Sequence, residues 1–411
     1  MHYIYVIVYW ALAFIGVFLI YGVLSPYLVI LIRDYGFNHS VLGILLALCE
    51  AMAIASPFIM SFFADRSRRY RPVILISLVL SLFCGIILFF SKKLLICAIV
   101  LPVLAFSYRA IQPLLDAIST IKFGKKGNYG KYRAIGSLSF FLVVIFLQLT
   151  PFFTPNTAPN IAFWVTISSF LSIILIMAVP ASYFINDDNK PAASPPSLSA
   201  EPGLVSKPNY VVQRHSAIYN LWSPLFITGF LIIFFNRLAM SPINNFLSLY
   251  VVEQLKWDGV GFMWALSSGS EIAFIFLSKR LLQRFNALPL MAFATSVVIL
   301  RYIIILLFPS RGGIIVSQLT HSVCFGIFHP AAVSFITSCV PPARRALGMS
   351  LYLSLGTGLP TLIGNLTGGF IVDYLGYRSL FIIFAVFAVF GLLIYFMTRK
   401  HTQRLLLENG D

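Results

Sequence analysis

Residues 113–137 read PLLDAISTIKFGKKGNYGKYRAIGS. They close one long apolar segment and open the next. The short loop between carries Lys122, Lys125, Lys126, Lys131 and Arg133 and no acidic residue. Lys/Arg bias sets the topology of a membrane chain, so such a loop between two segments of spanning length is expected on the cytoplasmic side. Asp116 lies upstream, inside apolar sequence where an unpaired carboxylate is costly. Arg133 lies downstream and leads into AIGSLSFFLVVIFLQL. On consecutive antiparallel helices this carboxylate and this guanidinium are expected to meet near the inner face of a bundle.

Outward from that stretch the composition agrees. Of 411 residues, 59% are hydrophobic and 10% charged, which excludes a soluble globular domain. Apolar runs of about 20 residues recur, each enough to cross roughly 30 Å of hydrocarbon. The lipid bilayer is therefore a partner. The net charge of +16 raises nucleic acid, but the basic residues fall in alternate loops and form no patch, so no nucleic-acid partner is expected. The first apolar run begins almost at Tyr3 with no basic stretch before it, so no cleavable signal peptide is expected. Cys49, Cys84, Cys97, Cys324 and Cys339 lie within apolar runs without metal-ligand spacing. They are expected to be buried thiols.

Twelve spans are predicted, the first six near 4–32, 40–63, 72–91, 94–121, 134–152 and 161–183. The second six fall near 217–250, 259–278, 288–308, 313–339, 347–371 and 379–398. Between the sets lies a Pro-, Ser- and charge-rich linker. The expected fold is thus an all-α integral membrane protein of twelve transmembrane helices in two six-helix bundles. Residues 1–184 form the first bundle, 185–216 a cytoplasmic linker, 217–398 the second bundle and 399–411 a cytoplasmic tail. With both termini inside, 20 of the 29 Lys and Arg fall in inner loops and 6 in outer loops. That excess follows the positive-inside rule and sets the orientation; a bacterial cytoplasmic (inner) membrane is the expected location. A monomer is expected.

The remaining three, Arg109, Arg237 and Arg301, lie within spans, with Glu50, Asp116, Glu271, His321 and His329. Ionisable residues there face a bundle interior, pair with one another and mark solute or proton paths, or else glue helices as salt bridges. Arg109 and Asp116 are seven residues apart, two helical turns, and share a face. Glu50 and Glu271 occupy similar places in spans two and eight, as pseudo-symmetric partners would across a central cavity. His321 and His329 are eight apart and are expected at different depths. A histidine titrates in the physiological range and can take up a proton. Span eleven holds Gly364-xxx-Gly368, a spacing for close helix packing.

Between spans two and three, SFFADRSRRYRP resembles the major facilitator superfamily loop motif, Asp65, Arg66 and Arg69 matching while Ser61 and Arg68 replace its two glycines. The resemblance implies a loop that locks one conformation. The stretch PLLDA followed by YGKYRAIGS is similar to the helix 4–5 signature of the phenylpropionate permease and lactose permease branch of proton symporters. SSGSEIAFIF, VVILRYII and QLTHSVCFGIFH resemble its helices 8, 9 and 10, and GGFIVDYLGYRSLF its tail. The resemblance covers nearly the whole chain except the linker. It implies that Asp116 and Arg133 hold solute and that Glu271, Arg301 and His321 couple protons. Cys324 stands where the branch has an acid used in proton release, and Phe140 where it has a tryptophan that stacks on sugar. The proton carrier is then expected to be Glu271 or Asp116.

The function these readings predict is secondary active transport of a small organic solute by alternating access with proton symport. Asp116 and Arg133 suit a sugar- or nucleoside-like solute; Arg109, Arg237 and Arg301 suit an aromatic or other carboxylate. Phe140 and Trp264 are candidates to line the solute path, and His329 and Glu50 join the proton-coupling set. No G-x-x-x-x-G-K-[ST] loop occurs, so neither ATP nor a cofactor is expected. The alternatives are an intramembrane enzyme, for which no nucleophile–base or H-E-x-x-H pattern occurs, and a non-transporting receptor or scaffold.

Overall fold

Pro180, Pro330 and Gly376 mark helix ends and breaks in this chain, while Pro26, Pro57, Pro102, Pro113 and Pro242 lie inside continuous helices. The structure is a computed structural model describing residues 2–123, 129–150, 157–185, 223–340 and 344–408. Lys125 and Lys126 of the basic loop, residues 186–216 of the expected linker and the last three residues of the expected tail lie outside the described residues. So do the expected end of span five at 151–152 and the start of span seven at 217–222. Among the described residues the backbone is helical and holds no strand. They fall into two compact units. One is Met1–Gly203 with Ser248–Ala265, the other Leu204–Leu247 with Leu266–Asp411.

The first unit contains α1 (His2–Asp34), α2 (His39–Ser67), α3 (Tyr70–Phe90), α4 (Leu94–Phe123), α5 (Tyr129–Leu149) and α6 (Ala158–Ala178). Side chains from other helices satisfy both ends of α6. Asp34, closing α1, accepts the Ala158 amide at 2.6 Å, a carboxylate on orphan N–H groups at a helix start. Arg71 donates to the Met177 carbonyl at 2.6 Å in the last turn. Span six was expected to reach residue 183, but α6 stops at Ala178. Pro180 has no N–H and holds Val179 extended (φ −84°, ψ 129°). A short 3₁₀ turn, Ala181–Phe184, follows, and Ile185 forms an isolated bridge with Arg69. Trp10, 1% exposed, packs there against Phe123, Tyr132, Tyr183 and Phe184.

The segment Ser248–Ala265, which runs from the end of span seven into the start of span eight, is compact with this unit. Its ties are polar. His39 Nε2–H donates to the Glu253 carboxylate at 2.9 Å. The Gln148 amide donates to the Asp258 carbonyl at 2.8 Å and accepts from the Gly261 N–H at 2.8 Å.

The second unit contains α7 (Pro224–Asn245), with Ser223 accepting from the Phe226 amide at 3.1 Å. That is a serine N-cap with proline at the first helical position. The seven-residue α8 (Leu247–Glu253) follows and passes into the first unit's segment. Then come α9 (Val260–Arg284) and α10 (Ala287–Leu307). Span ten, expected as one helix, is three: α11 (Arg311–Leu319), α12 (His321–Gly326) and α13 (Phe328–Cys339). Pro330 cannot donate to the preceding turn, which accounts for the break at Ile327.

Span eleven begins as α14 (Arg345–Leu351), widens to a π-helix over Tyr352–Gly358 and continues as α15 (Leu359–Glu408). Gly376 (φ 78°, ψ 173°) interrupts α15 and divides span eleven from span twelve. A methyl on Gly364 would strike Ser241, and one on Gly368 would strike Phe246. This pair therefore brings α15 close to α7, as its spacing predicts.

Ten runs are long and apolar enough to cross a membrane, the last of them, Leu347–Arg399, containing the Gly376 break. With α9, 25 residues and about 37 Å long at 1.5 Å per residue, the described residues hold the expected twelve spans. Their outer faces are apolar, with Phe90 80%, Leu95 74% and Met397 82% exposed. A helix hydrophobic on all sides belongs in lipid. All five cysteines are buried free thiols.

Candidate functional site

In the first unit, α1, α2, α4 and α5 assemble the charges. Asp116 and Arg133 meet, with Nε 3.9 Å from Oδ1. This is longer than the roughly 2.7–2.9 Å of a charge-assisted hydrogen bond, so the pair is a loose one. Two neighbours orient Arg133. The Ser137 hydroxyl, one turn on, accepts from it at 3.3 Å, and the Phe18 ring lies 4.7 Å beneath the guanidinium. Arg109 shares a helix with Asp116 but pairs with Glu50 of α2 at 3.5 Å. Its guanidinium stands 5.5 Å from the neighbouring Tyr108 ring, and the Tyr21 hydroxyl donates to the Tyr108 carbonyl at 3.1 Å. The Arg109 side chain is 44% exposed and Glu50 16%, so the pair is accessible from one side in mid-span.

Phe140 is half-buried on α5, its carbonyl near Gly22 of α1. Trp264 lies in the first unit and donates Nε1–H to Ser248 at 3.1 Å. In the loop motif, the Tyr70 hydroxyl donates to Asp65; Arg66 is exposed and Arg69 holds the bridge to Ile185. Arg68, in the place of a motif glycine, takes the left-handed conformation (φ 55°, ψ 16°) that glycine adopts without strain.

The second unit holds a longer chain of contacts. Arg301, 1% exposed, donates to Nδ1 of His321 at 3.0 Å and to the Gln318 side-chain oxygen. A guanidinium has only donors, so Nδ1 accepts and the imidazole carries its hydrogen on Nε2. His321 stacks on Phe325 and Phe325 on His329, at 5.8 and 5.3 Å and each within 7° of parallel. The two histidines, eight residues apart, are thereby joined by the ring between them. His329 Nδ1 lies 2.7 Å from the Tyr352 hydroxyl, which accepts from Arg237 at 3.3 Å. Arg237 also sits 5.0 Å from the Phe325 and Phe328 rings. The π-helical turns begin at Tyr352 and set its register, a feature frequent at functional sites.

Glu271 lies on α9 in this unit. Its Cγ is 3.8 Å from where a methyl on Gly326 would lie. Gln318, Phe325, Tyr352 and Phe18 escaped the sequence reading. Phe325 and Gln318 carried a signal, being four residues from each histidine and three from His321 respectively; Phe18 and Tyr352 come from distant sequence.

This fold has relatives. The model of the MFS_1 like family matches residues 9–383. The chain is 22% identical over 399 residues to the uncharacterized transporter YwbF of Bacillus subtilis (strain 168), covering 95% of this chain and 93% of that protein. It is 21% identical over 393 residues to the maltose permease of Geobacillus stearothermophilus, covering 94% and 93%. Among solved structures it is similar to the nucleoside transporter NupG, with a TM-score of 0.73 at 16% identity over 96% of this chain and 98% of that one. A POT family transporter in complex with a thioalcohol-conjugated peptide gives 0.73 at 16% identity over 96% of each. At such identity the structural likeness is one of fold. With its model matched from residue 9 to 383, the chain belongs to the MFS_1 like family, within the major facilitator superfamily of multi-pass membrane transporters rather than among enzymes.

Proposed function

We propose that the protein is a secondary active transporter that moves a small organic solute by alternating access and couples it to protons. The observation that carries this is the set of charged groups inside apolar spans that can exchange partners: Glu50 with Arg109 at 3.5 Å, Asp116 with Arg133 at 3.9 Å, and Arg301 with His321 at 3.0 Å. Neutralising either carboxylate releases its arginine. A proton added to His321 at Nδ1 breaks the bond from Arg301 and places two cations side by side. Proton arrival thus changes which group each arginine holds, as coupling requires.

In this reading Asp116, Arg133, Arg109, Phe140, Arg237 and Trp264 contact solute. Glu271, Arg301, His321, His329 and Glu50 serve the proton, and Asp65, Arg66 and Arg69 bias the conformation. The solute is sugar- or nucleoside-like, or an aromatic carboxylate. The two six-helix bundles, 1–184 and 217–398, are joined by the 185–216 linker, with both termini cytoplasmic in a bacterial inner membrane and the protein monomeric. Lys/Arg placement supports that orientation.

The test is paired uptake and counterflow on the same proteoliposomes, with wild type and Glu271→Gln. Gln is a neutral mimic of the protonated acid. The variant is expected to lose pH-driven accumulation and keep solute exchange, because exchange needs no proton turnover. Retained accumulation removes Glu271 as the carrier and moves that role to Asp116 or His321. Absence of both activities in the wild type, across sugars, nucleosides and aromatic acids, would sink the transport reading.

A further inference from the structure

Resting on the transport reading, we propose that the second unit holds an anion site in which Arg237 and Arg301 bind the carboxylate or phosphate group of the solute. The ground is an imbalance between the units. In the first, Arg109 has Glu50 and Arg133 has Asp116. In the second, Arg237 is 5% and Arg301 1% exposed. Among the described residues neither is in an ion pair.

Their neighbours are neutral or aromatic: the Tyr352 hydroxyl, Phe325 and Phe328 around Arg237, and Gln318 and His321 around Arg301. The Nε of each guanidinium is buried without a hydrogen-bond partner. Two cations withdrawn from water outside any ion pair among the described residues are among the costliest contents of a membrane span.

The stack of His321, Phe325 and His329 links the two guanidinium groups within one cluster. With its Nδ1 occupied by Arg301, His321 has only Nε2–H left to offer, a further donor. The cluster is rich in donors, poor in acceptors and doubly positive. A group with two or more anionic oxygens supplies what it lacks, by the geometry guanidinium recognises best. A neutral sugar supplies acceptors but no charge. The Phe325 and Phe328 faces beside Arg237 add an apolar wall suited to an organic anion.

The experiment uses the full chain in phosphatidylcholine nanodiscs and measures binding of matched probes: benzoate against benzamide, 3-phenylpropionate against its amide, and ribose 5-phosphate against ribose. At least one anion is expected to bind tenfold or more tightly than its neutral partner. Arg237→Gln and Arg301→Gln are expected to abolish that preference. Arg237→Lys and Arg301→Lys keep the charge, guard against a folding defect, and are expected to retain the preference with roughly tenfold weaker binding. Equal binding of anions and neutral partners overturns the proposal, as does an anion preference that survives both Gln substitutions. Equal protection by phosphatidylglycerol or chloride assigns the site to lipid or inorganic anion and overturns the solute class. Counterflow of neutral probes by a protein indifferent to anions sinks the anion site and leaves transport standing. Anion binding without counterflow of any probe keeps the site and sinks transport.

Discussion

Arg301 donates to Nδ1 of His321 at 3.0 Å, and that one bond fixes the imidazole tautomer. It joins spans nine and ten and ties the charge of one residue to the protonation of the other. Arg301→Lys puts a single flexible ammonium in place of a planar fork and cannot serve His321 and Gln318 with the same geometry. A hydrogen bond to a charged group contributes roughly 1.5–3 kcal/mol, so uptake kcat/KM is expected to fall about 10- to 100-fold at unchanged protein level. Transport at the wild-type rate would mean the contact has no part in it.

The Asp116–Arg133 pair is expected to tolerate little change. Asp116→Asn and Arg133→Ala should each abolish uptake in membranes that hold near-normal amounts of protein. Phe18→Ala removes only the ring beneath the guanidinium and should cost about 0.5–2 kcal/mol. Normal uptake by Arg133→Lys would make the pair a structural link between α4 and α5.

Gln148 holds the start of α9 by two hydrogen bonds through one amide, to Asp258 just ahead of the helix and to Gly261 in its first turn. Gln148→Leu is close in size and leaves the Gly261 N–H without its acceptor. Hydrogen exchange at Gly261 is expected to accelerate about tenfold, in line with the loss of roughly 1–1.5 kcal/mol. Unchanged exchange would show that other contacts hold the segment.

Two backbone positions should respond in opposite directions. Gly376 adopts φ 78° and ψ 173°, a region open almost only to glycine, and no atom lies within 4 Å of the place a methyl would occupy. Gly376→Ala should therefore destabilise through conformation alone, by about 1–3 kcal/mol. Arg68 holds a left-handed conformation where glycine is at ease, and Arg68→Gly should stabilise by up to about 1 kcal/mol. Thermal unfolding of the purified protein checks both, and a fall in midpoint for Arg68→Gly would contradict the account of its backbone.

The twelve spans, the all-helical membrane class and the intramembrane charges were legible in the chain itself. Spanning length and apolar content are local properties, summed over some 20 residues without regard to neighbours. The meeting of Asp116 with Arg133 was legible too, because a short loop joins their helices. Tertiary structure decided the rest. Seven-residue spacing put Arg109 on one face with Asp116, yet its partner is Glu50, 59 residues away on α2. Helix periodicity sets which residues share a face; it does not set which helix that face meets. Tyr352 reaches His329 and Arg237 from a π-helical turn. One extra residue in a turn swings a side chain by about 100°, and no apolar pattern records that rotation. Chain order determined how many helices there are and what they must bury. Helix rotation and packing determined which charge faces which.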